Sequence, residues 1–273
     1  MIAHGSAFPV AKLALNNSVP PILMASLRMF LVFIILIPFW KFRIPNKKFF
    51  KPLLIFSFSM GVLVYVFMNL SLYHSSIISP IILGSQLAIP FGIMASAFIL
   101  KENISKNKWL LILASFLGIF IIFFDPKLNE NYLGLFFASL MALFFGLAQV
   151  YSRQLKELPT SMINASTGIF GFSVLLILSI IFEGNIYINI EQININSWIL
   201  ISYQAVIVSL CAHLLMFYLY KFYTVGQIFP FYSLFPIFGI ILSYITFGEV
   251  PTLMFILGGI IVISSVFLLH KIK

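Results

Sequence analysis

Residues Ile89–Glu102 read IPFGIMASAFILKE, and Pro236–Glu249 read PIFGIILSYITFGE. At a constant offset of 147 residues Phe91 meets Phe238, Gly92 meets Gly239, Ile93 meets Ile240, Ser96 meets Ser243 and Glu102 meets Glu249. Each copy is an apolar run closed by a glutamate. Five apolar runs lie between the first glutamate and the second. If every run crosses a membrane, an odd number of crossings puts the two glutamates at opposite ends of the molecule. One phrase is then used twice in opposite orientations.

The composition requires that reading. Of 273 residues, 62% are hydrophobic and 8% are charged, where a soluble domain carries about 25% charged residues. Such a surface suits lipid and not water. A helix needs about 20 apolar residues to cross the hydrocarbon core. Nine runs qualify, at 20–40, 52–73, 77–100, 108–124, 132–152, 161–182, 197–220, 226–247 and 252–270. They are continuously apolar, unlike the alternating strands of a membrane barrel. Before them, MIAHGSAFPVAKLALNN reads as the outer half of a tenth helix whose start is absent, through a misassigned start codon or a truncation. It is no signal peptide, because Lys12 interrupts the apolar stretch instead of preceding it. The expected fold is an all-α polytopic membrane protein, a ten-helix inverted 5+5 repeat with units at 1–125 and 132–273. Weaker pairings support the duplication: His4-Gly5 with Phe145-Gly146, Lys12 with Arg153, and Pro20 with Pro159.

The net charge of +9 is a statement about sidedness. Basic residues cluster after the second helix (Lys41 to Lys51), after the fourth (Lys101 to Lys108), after the sixth, after the eighth and at the C-terminus. The opposite loops hold Asp125, Glu130, Glu183, Glu191 and Glu249, with Lys127 as their cation. Short loops rich in Lys and Arg mark the cytoplasm, so the C-terminus is expected inside. No nucleic-acid motif accompanies the charge. Trp40, Trp109 and Trp198 fall at helix ends and read as interface anchors. One cysteine, Cys211, excludes an intrachain disulfide and a cysteine metal cage; it reads as a packing residue. No cofactor or metal is expected.

The two phrases, HGSAF at 4–8, and Pro20-Pro21 followed by MASLR at 24–28 resemble the EamA-type permeases of the drug/metabolite transporter superfamily. The resemblance covers nearly the whole chain and is nearest to bacterial exporters of amino acids and related metabolites, of the cysteine and O-acetylserine exporter kind. It implies two inverted five-helix repeats, a bacterial inner-membrane location and a substrate cavity between the halves. Export is the commoner direction in such families. Uptake of nucleotide-like metabolites is the alternative within the superfamily. The usual first-helix motif is close to WGSNF; here His4 holds the Trp position and Ala7 the Asn position, which points to a different substrate.

Polar groups within spans are costly and face protein or water. The cavity candidates are His4, Tyr65, Asn69, Gln86, Gln149, Ser209, His213, Tyr232 and Ser233. Tyr65, Asn69 and Tyr73 share a face at i, i+4, i+8, and Ser202, Ser209, His213 and Tyr220 share another. The competing reading for each Ser and Asn is helix-to-helix glue. His213 either binds a carboxylate or carries a proton, or is a neutral histidine satisfied by a neighbouring helix. His74 and His270 read as surface residues. Pro90 and Pro236 are candidate kinks and gates. Arg28, eight residues into its helix, reads as a structural charge snorkelling to the outer interface, with anion attraction as the alternative. Glu102 and Glu249 read as structural carboxylates accepting from the first amides of the next helix, with Ser105, Pro251 and Thr252 as helix-start residues.

Two other function classes compete. An intramembrane hydrolase would need paired aspartates, a zinc motif or a supported Ser/His pair. Ser209 and His213 at i, i+4 mimic a dyad, with no nucleophile elbow beside them. A channel would need a repeated filter or charged rings. The inverted repeat favours a carrier, whose partners are a small-molecule substrate and the bilayer. Proton coupling and facilitated diffusion both remain open. Small residues on the seventh helix, Ser161, Asn164, Gly168 and Gly171, are explained by packing within a monomer. The segment NIYINIEQININ (185–196) reads as interfacial or extended.

Overall fold

The computed structural model describes residues 1–39, 45–128, 131–212, 215 and 234–271. Among these, the regular elements are helical. The chain opens with α1 (Ile2–Gly5) and α2 (Ala7–Asn16). Next come α3 (Pro21–Leu36), α4 (Lys47–Phe58) and α5 (Val64–Tyr73), the last two joined by a π-helical segment, Ser59–Leu63. A 3-10 turn, Ser85–Leu87, joins α6 (Ser79–Gly84) to α7 (Ala88–Ile99). Then follow α8 (Lys106–Phe123), α9 (Tyr132–Gln154), α10 (Thr160–Phe182) and the short α11 (Ile186–Glu191). Helix α12 (Ile195–Tyr203) runs into a second π-helical segment, Gln204–Ala212. The chain ends with α13 (Phe235–Phe247) and α14 (Leu253–Lys271). Seven described rods are long and apolar enough to cross a membrane, and Phe235–Phe247 and Leu253–Leu269 are shorter apolar helices.

Local chemistry sets the boundaries. Pro20 and Pro159 precede α3 and α10 in extended conformation, where a fixed φ suits helix entry. Asn46, Ser105 and Asn194 start α4, α8 and α12 by accepting from backbone amides. Gly248 ends α13 at φ +69, a left-handed position that costs a glycine little. Residues 185–196 are not extended: Asn185 accepts from the Tyr187 amide and starts α11, which leaves Tyr187 and Ile188 exposed. Alternation of Asn and Ile suggested an interfacial or extended segment, but the side chains of Asn185 and Asn194 bond locally to the backbone and start helices.

The two-fold relation of the repeats is visible where helices of one half cross helices of the other. Helix α1 meets α13 at Gly5 and Gly239, and α9 meets α7 at Gly146 and Gly92. These are counterparts: Gly5 pairs with Gly146 and Gly92 with Gly239 in the sequence repeat. A Cβ on Gly5 would lie 2.7 Å from the Gly239 nitrogen, and one on Gly146 2.6 Å from the Gly92 nitrogen. The same contact is therefore made twice, once in each direction. Helix α3 packs along its counterpart α10, and α8 along its counterpart α14. At that last crossing a Cβ on Gly118 would meet the Gly258 carbonyl oxygen at 2.8 Å. Close backbone approach through small residues is how helices associate where lipid offers no hydrophobic drive.

Cys211 departs from expectation: it is exposed on the bundle surface. Lys12 donates to the carbonyls of Leu72 (2.8 Å) and Ser75 (2.6 Å) and so holds the C-terminal end of α5, as a cation suits a helix C-terminus.

Candidate functional site

A cavity of about 80 Å³ lies between the N-terminal and C-terminal halves of the bundle. Arg28, Tyr65 and Gln86 line it from the first half, with His4 and Phe8 beside Gly5. Met141, Phe145 and Gln149 of α9, Val208 of the second π segment and Phe235 of α13 line it from the other. The two glycine crossings flank this space, since His4 adjoins Gly5 and Phe145 adjoins Gly146. The rings of Phe8 and Phe235 stack across the halves at 6.4 Å. A smaller cavity of about 40 Å³ shares Tyr65, Phe145 and Gln149 and continues past Ser152 and Asn164 toward the lysine-rich end.

Arg28 does not snorkel. It is 4% exposed and turned into the bundle. Its Nε donates to Ser209 Oγ at 2.9 Å, and its guanidinium carbon lies 4.4 Å from the centre of the Tyr65 ring. Its Nη1 is buried without a protein partner among the described residues. Ser209 reaches Arg28 from a π-helical turn, and such turns are frequent at functional sites. Over Gln204–Ala212 the wider turn departs from the 3.6 residues per turn on which the alignment of Ser202 with Ser209 rests.

Gln86 is 1% exposed, and neither its Nε2 nor its Oε1 finds a partner among the described residues. It sits on the 3-10 turn between α6 and α7. Pro90 lies four residues on, within α7, and cannot donate to the Gln86 carbonyl. The break in the helix thus falls at the cavity wall. Pro236 occupies the first turn of α13 as described, a position proline tolerates, and does not kink the described helix.

The remaining candidates separate. His4, Tyr65 and Gln149 line the main cavity with Arg28 and Gln86, and Ser209 lines the smaller one. Asn69 does not: its amide donates to the Pro21 carbonyl at 2.8 Å, holding α5 to α3. Its stripe partner Tyr73 is exposed. His213, Tyr232 and Ser233 lie outside the described residues. Sequence reasoning missed Gln204, buried and donating to the Ala7 carbonyl. An amide inside an apolar run was the available signal.

The two repeated glutamates differ from expectation and from each other. Glu249 does not cap the next helix. It crosses to the first half and accepts from the amides of Ile78 (2.6 Å) and Ser79 (2.9 Å), at the start of α6. Thr252 accepts from the Phe255 amide at the start of α14 instead. Glu102 forms an exposed pair with Arg153 at 3.2 Å, and Ser105 starts α8. Glu183 repeats the cross-half pattern, accepting from Ile22 (2.6 Å) and Leu23 (2.8 Å) at the start of α3. Burial pushes the Glu183 carboxyl above the usual range, against the lowering effect of those bonds. Asp125 accepts from Thr252, and Asn131 accepts from Ser75 and Ser76. The bonds of Glu183, Glu249 and Asp125 therefore all cross between the halves.

A crystal structure of another protein superposes with a TM-score of 0.61 at 15% identity, over 97% of this chain and 93% of that one, which shows the shared fold. No curated relative matches. The pattern of the EamA-like transporter family matches residues 1–124 and again residues 132–270. The chain belongs to the EamA-like transporter family, and is a multi-pass membrane transporter of the drug/metabolite transporter superfamily.

Proposed function

We propose that the protein is a secondary carrier that exports amino acids or related small polar metabolites across a bacterial inner membrane by alternating access. The observation that carries this reading is one cavity lined from both halves and flanked by the two reciprocal glycine crossings. Two inverted halves around one site give two arrangements of similar energy, one open to each side. With the lysine-rich end and the C-terminus cytoplasmic, the cross-half bonds of Glu183 and Glu249 seal the outer mouth. A cavity of about 80 Å³ favours a small solute over a nucleotide-like one. The same geometry serves a monomer working in lipid.

The test has two parts. Purified full-length protein in proteoliposomes is expected to give saturable counterflow of a small polar metabolite, absent from protein-free vesicles. In a Cys211→Ser background, cysteines placed at Lys101 and Val250 are expected to react with impermeant reagent from opposite faces of intact cells. Labelling of both from one face would remove the inverted arrangement, and with it the carrier.

A further inference from the structure

Arg28 presents a charge imbalance. The chain has seven acidic residues: Glu102, Asp125, Glu130, Glu157, Glu183, Glu191 and Glu249. All stand outside the apolar spans. No carboxylate of the chain is therefore placed at mid-span, yet a guanidinium is buried there with one nitrogen unpartnered among the described residues. It lies roughly 10 Å along α3 from the first turn, at 1.5 Å per residue. Ser209 Oγ and the Tyr65 ring solvate it without neutralising it. An arginine cannot shed its proton to escape, and a buried unpaired charge is costly. Gln86 lines the same cavity with a donor and an acceptor that find no partner among the described residues. His4, Ser85 and Gln149 add polar lining that carries no carboxylate, and the other walls are largely Phe, Met, Val, Ile and Ala.

We infer that the cargo is a small organic monocarboxylate carrying an adjacent hydroxyl or other hydrogen-bonding group. Its carboxylate neutralises Arg28, and its second polar group meets the Gln86 amide. This rests on the carrier reading above, keeps its small polar metabolites and sets aside its amino acids. A zwitterion fits less well: it would bring an ammonium into a site without a carboxylate and leave the occluded complex with a net charge. A neutral solute would leave Arg28 uncompensated. A cavity of about 80 Å³ holds only a few atoms beyond the carboxylate, taking roughly 10–15 Å³ for each water-sized centre.

Three near-isosteres separate the cases: L-lactate (anion), L-alanine (zwitterion) and lactamide (neutral). Straight-chain monocarboxylates of two to six carbons extend the set. The full-length protein in detergent is titrated with each and followed by thermal shift, and proteoliposomes report counterflow. The expected result is that lactate or a carboxylate of the series binds and exchanges at least about tenfold better than alanine or lactamide, as a charge-assisted hydrogen bond requires. Arg28→Gln is expected to abolish that preference. Arg28→Lys keeps the charge without the fork and should retain part of it. Gln86→Leu should weaken hydroxy acids more than unsubstituted acids, which gives a readout should the Arg28 variants fail to fold. Alanine or lactamide binding as tightly as the carboxylates would overturn the inference and leave the carrier intact. Chloride alone binding at Arg28, with no carboxylate in the series competing, would also overturn it. If no solute of any charge binds or exchanges with monodisperse protein, both readings fail.

Discussion

Gly146 sets the separation of α9 and α7. A Cβ there would fall 2.6 Å from the Gly92 nitrogen and 2.7 Å from the Ala88 carbonyl oxygen. Both are backbone atoms, so relief requires a whole helix to move. We expect Gly146→Ala to destabilise the protein by about 1–3 kcal/mol, the range for overpacking, and to perturb transport through the adjoining Phe145. Gly84→Ala is the control, because its new methyl would meet side-chain carbons of Leu135 and Ala138 at 3.3 and 3.4 Å. It should cost well under that amount. Thermal unfolding in detergent compares the two. The sequence made the counterparts legible, since Gly92 and Gly239 recur in one phrase. It could not show that Gly92 meets Gly146, or Gly239 meets Gly5, because a repeat lists equivalents and not neighbours. Arg28 failed differently: its depth was legible, but its direction depended on Ser209, 181 residues away.

At the scale of the element, one glutamate phrase has acquired two physical roles. Glu249 places a carboxylate on two amides and the hydroxyl of Ser79 at a helix start in the other half. Glu102 makes an exposed pair with Arg153, whose side chains are 49% and 56% exposed respectively. Exposed pairs contribute about 0–1 kcal/mol, whereas losing a helix-start acceptor costs about 0.5–2 kcal/mol. Glu249→Ala should therefore lower the unfolding temperature clearly, and Glu102→Ala hardly at all. Glu183 adds a pH dependence. Burial raises its folded pKa above the ordinary carboxylate value, so the folded state binds the proton more tightly than the unfolded state. Its contribution is fully present below the unfolded pKa and declines as pH rises through the raised folded value. The difference in unfolding temperature between the native protein and Glu183→Gln is expected to shrink or reverse from about pH 4.5 upward. A difference that grows over that interval would contradict the assignment to burial. The capping chemistry of these acids was legible in the sequence, but their partners in α3 and α6 were not. Each reaches across the bundle, and sequence proximity had suggested the following helix. The π segments at Ser59–Leu63 and Gln204–Ala212 were equally hidden, since nothing in an apolar run marks a widened turn.

Across the whole molecule, the repeat keeps the glycine crossings and not the charge. The glycine crossings occur twice, but the counterpart of Arg28, at the offset that pairs Pro20 with Pro159, is Thr167. One half therefore supplies the charge, while both supply the walls. This asymmetry has a kinetic consequence if the cargo is an anion. Under the alternating-access reading proposed above, the carrier closes around its site to change sides. Closing around a bound carboxylate buries a neutral pair; closing without cargo buries Arg28 uncompensated, which costs several kcal/mol even after relaxation. Each 1.36 kcal/mol of that difference slows the return of the unloaded carrier about tenfold. The protein should therefore work as an exchanger. In proteoliposomes clamped at zero membrane potential and loaded with labelled carboxylate, efflux into medium containing the same carboxylate is expected to exceed efflux into plain medium at least about tenfold. In Arg28→Gln the unloaded site carries no charge to bury, so exchange and net efflux should converge as exchange falls. Equal rates in the native protein would mean that the unloaded carrier closes without penalty, and that the guanidinium is neutralised or hydrated by something other than cargo.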